Sequence, residues 1–476
     1  MKTPRIKSFR VKPNKTVKSA PIDIEVSTDA GRRRLIFDLT WPALAENLLA
    51  SLISIVDMIM VSSLGAYAIN AIGLVTQPRF VLLACFIALN VGSTAMVARF
   101  KGAGDRENAC LVLNQSLLLT MALTILMCLV MAVCGEPLIR LLAGANISEQ
   151  TIRAALVYLN IQIVGFPTLS MTFCINSILR GIGNTRASFY TNAAANVVNV
   201  IFAYLLIGGN FGFPAWGVAG SSVAAVIAQA TALCIAIYIV RRSGSFVSFR
   251  VSMLKRVDLS MIKRILNIGL PALGEQAIMR VGMMLFTVIV TSFGENSYAS
   301  HMIAMNIQML SFTTGMAFGV AATTLVGQCL GRAKSELAKV YVRITQNLNM
   351  IVSIGVSILM FFGGELLASM YSKDHGIIKL AADMLKIIAV VNPISNARFV
   401  YVSALRGAGD SRFAAVVTFV GTIAIRPVFS LLLTMSAFPF RMGLAGVWLG
   451  ICVDIAVCYV LSLMRYRRGR WTAIKV

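Results

Sequence analysis

The stretch WPALAENLLASLISIVDMIMVSSLG, residues 41–65, is apolar throughout and yet acidic. About 20 residues at 1.5 Å each match the hydrocarbon thickness of a bilayer, so the run reads as a membrane span that carries Pro42, Glu46 and Asp57. An unpaired carboxylate in lipid is expensive. An acid kept there belongs to a protein interior or a watery cavity, and by default it marks an ion or substrate path. The same opening returns as LPALGEQAIMRVGMMLFTVIVTSFG, residues 270–294, where Pro271 and Glu275 keep the spacing of Pro42 and Glu46. The chain is therefore read as a duplication with this acidic helix as its template.

Composition agrees. The 476 residues are 58% hydrophobic and 13% charged, with a mean hydropathy of +0.80; a soluble domain carries about 25% charged residues. Twelve spans are expected, at 37–63, 72–98, 110–134, 155–178, 187–208, 215–240, 265–292, 300–328, 341–364, 382–405, 413–435 and 443–464. The formal charge of +24 would suit nucleic acid, but its placement argues otherwise. Basic residues crowd one set of loops: Arg99, Lys101 and Arg106; Arg180 and Arg186; Arg241 to Arg264; Arg332, Lys334 and Lys339; Arg406 and Arg412. Both tails are basic as well, whereas the loops 65–71, 208–214 and 294–299 hold no Lys or Arg. That is the positive-inside pattern, which places both termini in the cytoplasm of a multi-pass cell-membrane protein.

The duplication holds in register. At an offset of 229, Gly65, Thr94, Gly102 and Glu107 meet Gly294, Thr323, Gly331 and Glu336; at 226, Pro167, Arg180, Gly183 and Arg186 meet Pro393, Arg406, Gly409 and Arg412. Six spans per half is an even number, so both halves enter the membrane in the same direction. The expected fold is all-α, twelve transmembrane helices in two six-helix lobes related by a pseudo-two-fold axis along the membrane normal, with a cavity between them. The expected divisions are a basic cytoplasmic tail over 1–34, an N-lobe over 35–240, a basic linker over 241–264, a C-lobe over 265–465 and a C-terminal tail over 466–476.

Several residues are candidates for chemistry. Eleven residues, about three helical turns, separate Glu46 from Asp57, so both acids can share a face. Burial brings such acids toward physiological pH, which suits a proton carrier or a cation site. Asn192, Asn196 and Asn199 lie on one face of the fifth span at i, i+4, i+7, and carboxamide oxygens beside a carboxylate suit a hard cation such as sodium or serve as interhelical glue. In the second half Glu275 is followed by Gln276 and Arg280, with Arg398 and Arg426 in later spans, so Glu275 or Asp454 can be neutralised by a buried arginine. Asp410, at a turn between spans, reads as a helix cap. The nine cysteines lie mostly in apolar runs with no CxxC pair, and His301 and His375 are far apart, so no metal site is proposed. The GAGD turns at 102–105 and 407–410 lack a Walker lysine, and there is no HExxH, which leaves an enzyme unsupported.

These residues resemble the MATE multidrug and toxic-compound extrusion transporters of bacterial type. The resemblance is carried by PALAENLLASLISIVDMIMVSSLG, VGSTAMVARFKGAGD, SILRGIGNTR and WGVAG, then by GVAATTLVGQCLGRA, SALRGAGDSR and GLAGVWLG, in this order. It implies export of organic cations or amphipathic drugs in exchange for protons or sodium, without a cofactor, by a monomeric chain in the bilayer. It matches Asp57 and Asn199 to the family's first-helix acid and fifth-helix asparagine, and Glu275 to its seventh-helix PxxxEQ pattern. Ala203 and Ala225 stand where some branches carry further site residues. Coupling is expected at Asp57, Glu46, Asn196, Asn199 and Glu275, and a substrate cavity at Asp57, Asn192, Gln276, Arg280 and Arg398. Two rival readings are a flippase for a lipid-linked saccharide, favoured by Arg79, Arg280, Arg398 and Arg426, and a receptor or scaffold that transports nothing.

Overall fold

The computed structural model describes residues 26, 28–143, 147–242, 245–249, 257–434 and 443–474. They form twelve long helices: α1 Asp29–Ser62, α2 Ala66–Gly102, α3 Arg106–Ala143, α4 Glu149–Gly181, α5 Thr185–Gly208, α6 Val218–Arg241, α7 Leu259–Thr291, α8 Glu295–Gly331, α9 Ser335–Ser369, α10 His375–Gly407, α11 Ser411–Thr434 and α12 Gly443–Arg467. Eleven are apolar and long enough to cross a membrane; α10, interrupted by Asn392, Asn396 and Arg398, matches them in length alone. The chain is thus an all-α polytopic membrane protein.

Helix ends follow local chemistry. Thr28 caps α1 by accepting from the Gly31 amide at 3.3 Å, so α1 starts within the span 1–34 expected as a tail; residues 1–25 lie outside the described residues. Asp258 caps α7 by accepting from the Met261 amide at 3.0 Å, and that bond, with one from Ser260, holds its carboxyl below the usual carboxylate range. Repeat partners share backbone form: Gly65 and Gly294 enter α2 and α8 at φ +104° and +93°, a region that glycine adopts without penalty. Pro427 leaves the Ile423 carbonyl without its donor, and the chain answers with a π-helical segment, Val420–Ile425, inside α11.

Two segments read as peripheral are docked. In the expected linker, Val247 is fully buried and Arg106 donates to the Phe246 and Ser245 carbonyls at 3.0 and 3.2 Å. Beyond α12, Trp471 is also fully buried, donating to the Tyr466 carbonyl at 2.9 Å and stacking on its ring. It packs with the start of α1 and with α8, α9 and α10.

The first six helices pack mainly on one another, as do the last six, and they meet mainly where α2 packs on α7 and α8 and where α1 packs on α8. Small residues permit this. A β-carbon on Gly102 would stand 2.0 Å from the Gln328 carbonyl oxygen, and one on Gly331 would stand 2.1 Å from that of Arg99. Gly102 and Gly331 are repeat partners, so the contact is reciprocal. Around it, Thr324 donates to the Arg180 carbonyl at 2.9 Å, Gln328 to that of Gly181 at 3.1 Å, and Lys101 to that of Ile182. All of this lies at the basic end of the bundle, where the backbones of α2 and α8 touch. Gly102→Val is expected to force α2 and α8 apart, at a cost of about 1–3 kcal/mol or more. Cys329, fully buried beside Gln328, should then become reactive to a polar maleimide, as read by peptide mapping; a Cys329 still protected in the variant would show that the contact adapts without opening.

Candidate functional site

The two acids of α1 both face α5, as their spacing requires, but they meet different partners. Near the basic end, Glu46 accepts from Asn192 at 2.6 Å, Ser188 at 3.2 Å and Arg180 at 3.3 Å. Three turns on, Asn199 donates to both oxygens of Asp57 at 2.9 and 3.0 Å once its carboxamide nitrogen is turned toward the carboxylate, the orientation that satisfies both groups. Asn196 lies on the same α5 face, with no hydrogen bond seen among the described residues. Asp57 is half-buried at the margin of an apolar cluster that includes Val61, Tyr158, Ala203 and Ile207. Ala203 is buried there, so a methyl group occupies the position where a second acid would need solvation. Tyr158 is within electrostatic reach of both Asp57 and Arg79.

The second half repeats the Glu46 arrangement. Glu275 accepts from Arg406 at 2.6 Å and Thr418 at 2.9 Å. Glu46, Arg180 and Asn192 correspond to Glu275, Arg406 and Thr418 at the repeat offsets. The anchoring bonds also match: Thr94 donates to the Ser177 carbonyl at 3.1 Å and Thr323 to the Ser403 carbonyl at 2.9 Å. Arg180 and Arg406 were readable only as loop charges, and the signal that they are buried partners was their own match in the repeat. Glu275 thus takes its ion pair from Arg406, not from Arg280 or Arg398. Arg280 is exposed and stacks on Phe80 at 4.7 Å, and Gln276 is half-buried one residue after Glu275.

A second ionic cluster lies beside the π-helical segment. Fully buried Asp454 accepts two bonds from Arg426 at 2.6 and 2.9 Å and one from the Cys458 thiol at 3.1 Å. Arg398 is beside Cys458, within electrostatic reach of Asp454 and Glu275. Asp410 corrects its expected role. It occupies the position before α11, but its side chain makes no capping bond and instead accepts from Arg465 at 2.8 Å. Gly183 and Gly409 turn the chain ahead of α5 and α11 at φ +83° and +94°, while Pro42 and Pro271 lie inside α1 and α7. Among the described residues no three His, Cys, Asp or Glu side chains gather as a metal site.

Of the four acids more than two residues inside the expected spans, Glu46, Glu275 and Asp454 each have an arginine within ion-pair distance, and Asp57 has none among the described residues.

Comparison with known proteins fits this architecture. A "Probable multidrug resistance protein NorM" of Thermotoga maritima is 27% identical over 440 residues, covering 92% of this chain and 93% of its own. An "Uncharacterized transporter YisQ" of Bacillus subtilis is 24% identical over 444 residues, covering 92% and 94%. A MOP-superfamily transporter from Pyrococcus furiosus, whose binding pocket is described as having reverse polarity, shares the fold at a TM-score of 0.86 and 21% identity over 97% of this chain and 100% of that one. A multidrug-resistance MATE transporter in an outward-facing conformation superposes at 0.84 with 22% identity over 93% and 96%. The sequence profile of the MatE family matches twice, over residues 42–205 and 271–432, starting at the repeat-matched Pro42 and Pro271. With the profile covering most of the chain, this protein belongs to the MatE family of membrane transporters, and is not an enzyme.

Proposed function

We infer that this transporter exports organic cations by alternating access of two six-helix lobes, 35–240 and 265–465, in exchange for protons bound at Asp57. The observation that carries this reading is the isolation of Asp57: it is the one acid of the four without an arginine, it shares the first-half helices with Asn199, and it sits against an apolar wall. An organic cation and a proton compete for such a carboxylate, and linkage requires each to weaken the other's binding. Sodium fits less well, because one carboxylate and one carboxamide supply few of the oxygens a hard cation needs. The repeat register supports the pseudo-two-fold arrangement, and the basic loops support cytoplasmic termini in a cell membrane. The backbone contact of α2 with α8 at the basic end supports reading this as a state closed toward the cytoplasm.

With the other three acids paired internally, one proton exchanges for one monovalent cation and no net charge moves. The cycle then runs on the pH gradient alone, at about 1.4 kcal/mol per unit. The test is efflux of a fluorescent monovalent organic cation from proteoliposomes, with pH and sodium gradients imposed separately and the potential clamped. Flux should follow the pH gradient and stay unchanged when the clamped potential is varied. Flux that follows sodium alone would overturn the proton assignment, and no flux under either gradient from folded protein would bring the lipid-linked substrates forward.

A further inference from the structure

The two halves of the chain differ at one place where the repeat is otherwise close. In the first half Asp38 of α1 takes Arg186 of α5 in an ion pair at 2.7 Å, and Asn184 caps α5 by accepting from the Ala187 amide at 3.2 Å. At the repeat offsets these residues correspond to Asn267, Arg412 and Asp410. Acid and amide have exchanged places. Arg412 is exposed and has no carboxylate partner among the described residues, while Asp410 has turned to Arg465. The start of α11 is left without a side-chain cap, and the buried Ser411 hydroxyl has no partner among the described residues.

A cavity of about 340 Å³ occupies this place, lined by Arg264, Asn267, Gly409, Asp410, Arg412 and Ile474. Its charge is positive. The Asp410 carboxylate is matched by Arg465, and the Asp258 carboxylate, the cap of α7, keeps its charge within electrostatic reach of Arg264, so Arg412 supplies the unmatched positive charge. Arg264 stacks on Phe100 at 5.5 Å, and its repeat counterpart is the apolar Leu35. Behind it Arg99, close enough for the two charges to repel, has a buried guanidinium nitrogen with no partner among the described residues. The volume is far larger than a chloride ion needs. The cavity lies at the first turns of two apolar helices, α7 and α11, where a membrane protein meets lipid headgroups, and basic pockets between helices at that level take phosphate-bearing headgroups.

We propose that this cavity binds the phosphate of an anionic glycerophospholipid, with the Arg412 guanidinium on the phosphate oxygens and the Asn267 carboxamide donating to one of them. The site is separate from Asp57 and does not depend on how transport is coupled. Purified full-length protein would be titrated with short-chain phosphatidylglycerol, phosphatidylcholine and inorganic phosphate, with the thermal midpoint and native mass spectrometry as readouts. Phosphatidylglycerol should bind saturably and raise the midpoint. Asn267→Asp gives Arg412 the acid that Asp38 provides to Arg186, and should weaken phosphatidylglycerol binding about ten-fold or more. Arg412→Gln should do the same, which guards against a poorly folding Asn267→Asp. Equal binding by wild type and both variants, or equal stabilisation by phosphatidylcholine, would overturn the site. A full effect from inorganic phosphate alone would make the occupant a free anion and overturn the lipid assignment.

Discussion

Asp57→Asn is expected to lower pH-driven export of a monovalent organic cation at least about a hundred-fold, the scale associated with loss of a group that must carry a proton. The substitution keeps size and hydrogen-bonding capacity. An amide at position 57 can still pair with Asn199, whose carboxamide offers a donor and an acceptor. What it cannot do is change charge. The variant should therefore fold, with helix content unchanged and a thermal midpoint within a few degrees of wild type, and should bind substrate without exchanging it against protons. Glu46→Gln makes the control. It leaves Arg180 without its carboxylate but does not touch Asp57, so it should affect stability more than coupling. If Asp57→Asn retained pH-driven flux while Glu46→Gln lost it, the coupling acid would be Glu46 and the role of its arginine would have to be reversed.

Sequence periodicity and charge made the twelve helices legible, because a bilayer imposes length and apolarity on each span. They also made the acidic face of α1 legible, since three turns bring Glu46 and Asp57 to one side and both do face α5. The partners of the acids were less legible. Arg180 and Arg406 occur in runs whose charge is explained by topology alone, SILRGIGNTR and SALRGAGDSR, and nothing in a charge count tells a snorkelling arginine from one folded back onto a carboxylate. Asp410 shows the same limit. Its position at a turn fits a cap, yet the nearest cation decides its orientation, and Arg465 comes from a helix 55 residues away in sequence. The π-helical segment was signalled by Pro427, though the sequence does not say how the lost hydrogen bond is made good.

The largest effect on stability is expected at the second-half ion pair. Glu275 is almost wholly buried, its side chain 5% exposed, and one of its oxygens accepts both of its bonds while the other has no partner. Removing Arg406 leaves a carboxylate in the bundle interior with Thr418 as its one hydrogen-bond donor and Arg398 only within electrostatic reach, a loss of about 3–5 kcal/mol for a poorly compensated buried charge. Arg180→Ala in the first half should cost less. Glu46 is 16% exposed and keeps Ser188 and Asn192, one on each oxygen, so hydrogen bonds and solvent compensate for the missing guanidinium. The double variant Arg406→Ala with Glu275→Gln should recover much of the loss, because the neutral amide needs no counter-charge, and the coupling energy from the full cycle isolates the pair. Thermal unfolding of the four proteins in one detergent gives the cycle directly. If Arg180→Ala proved the more damaging of the two single variants, burial would not be what sets the cost, and the reciprocal bonds that Thr324 and Gln328 make to the backbone at Arg180 and Gly181 would be the place to look for the reason.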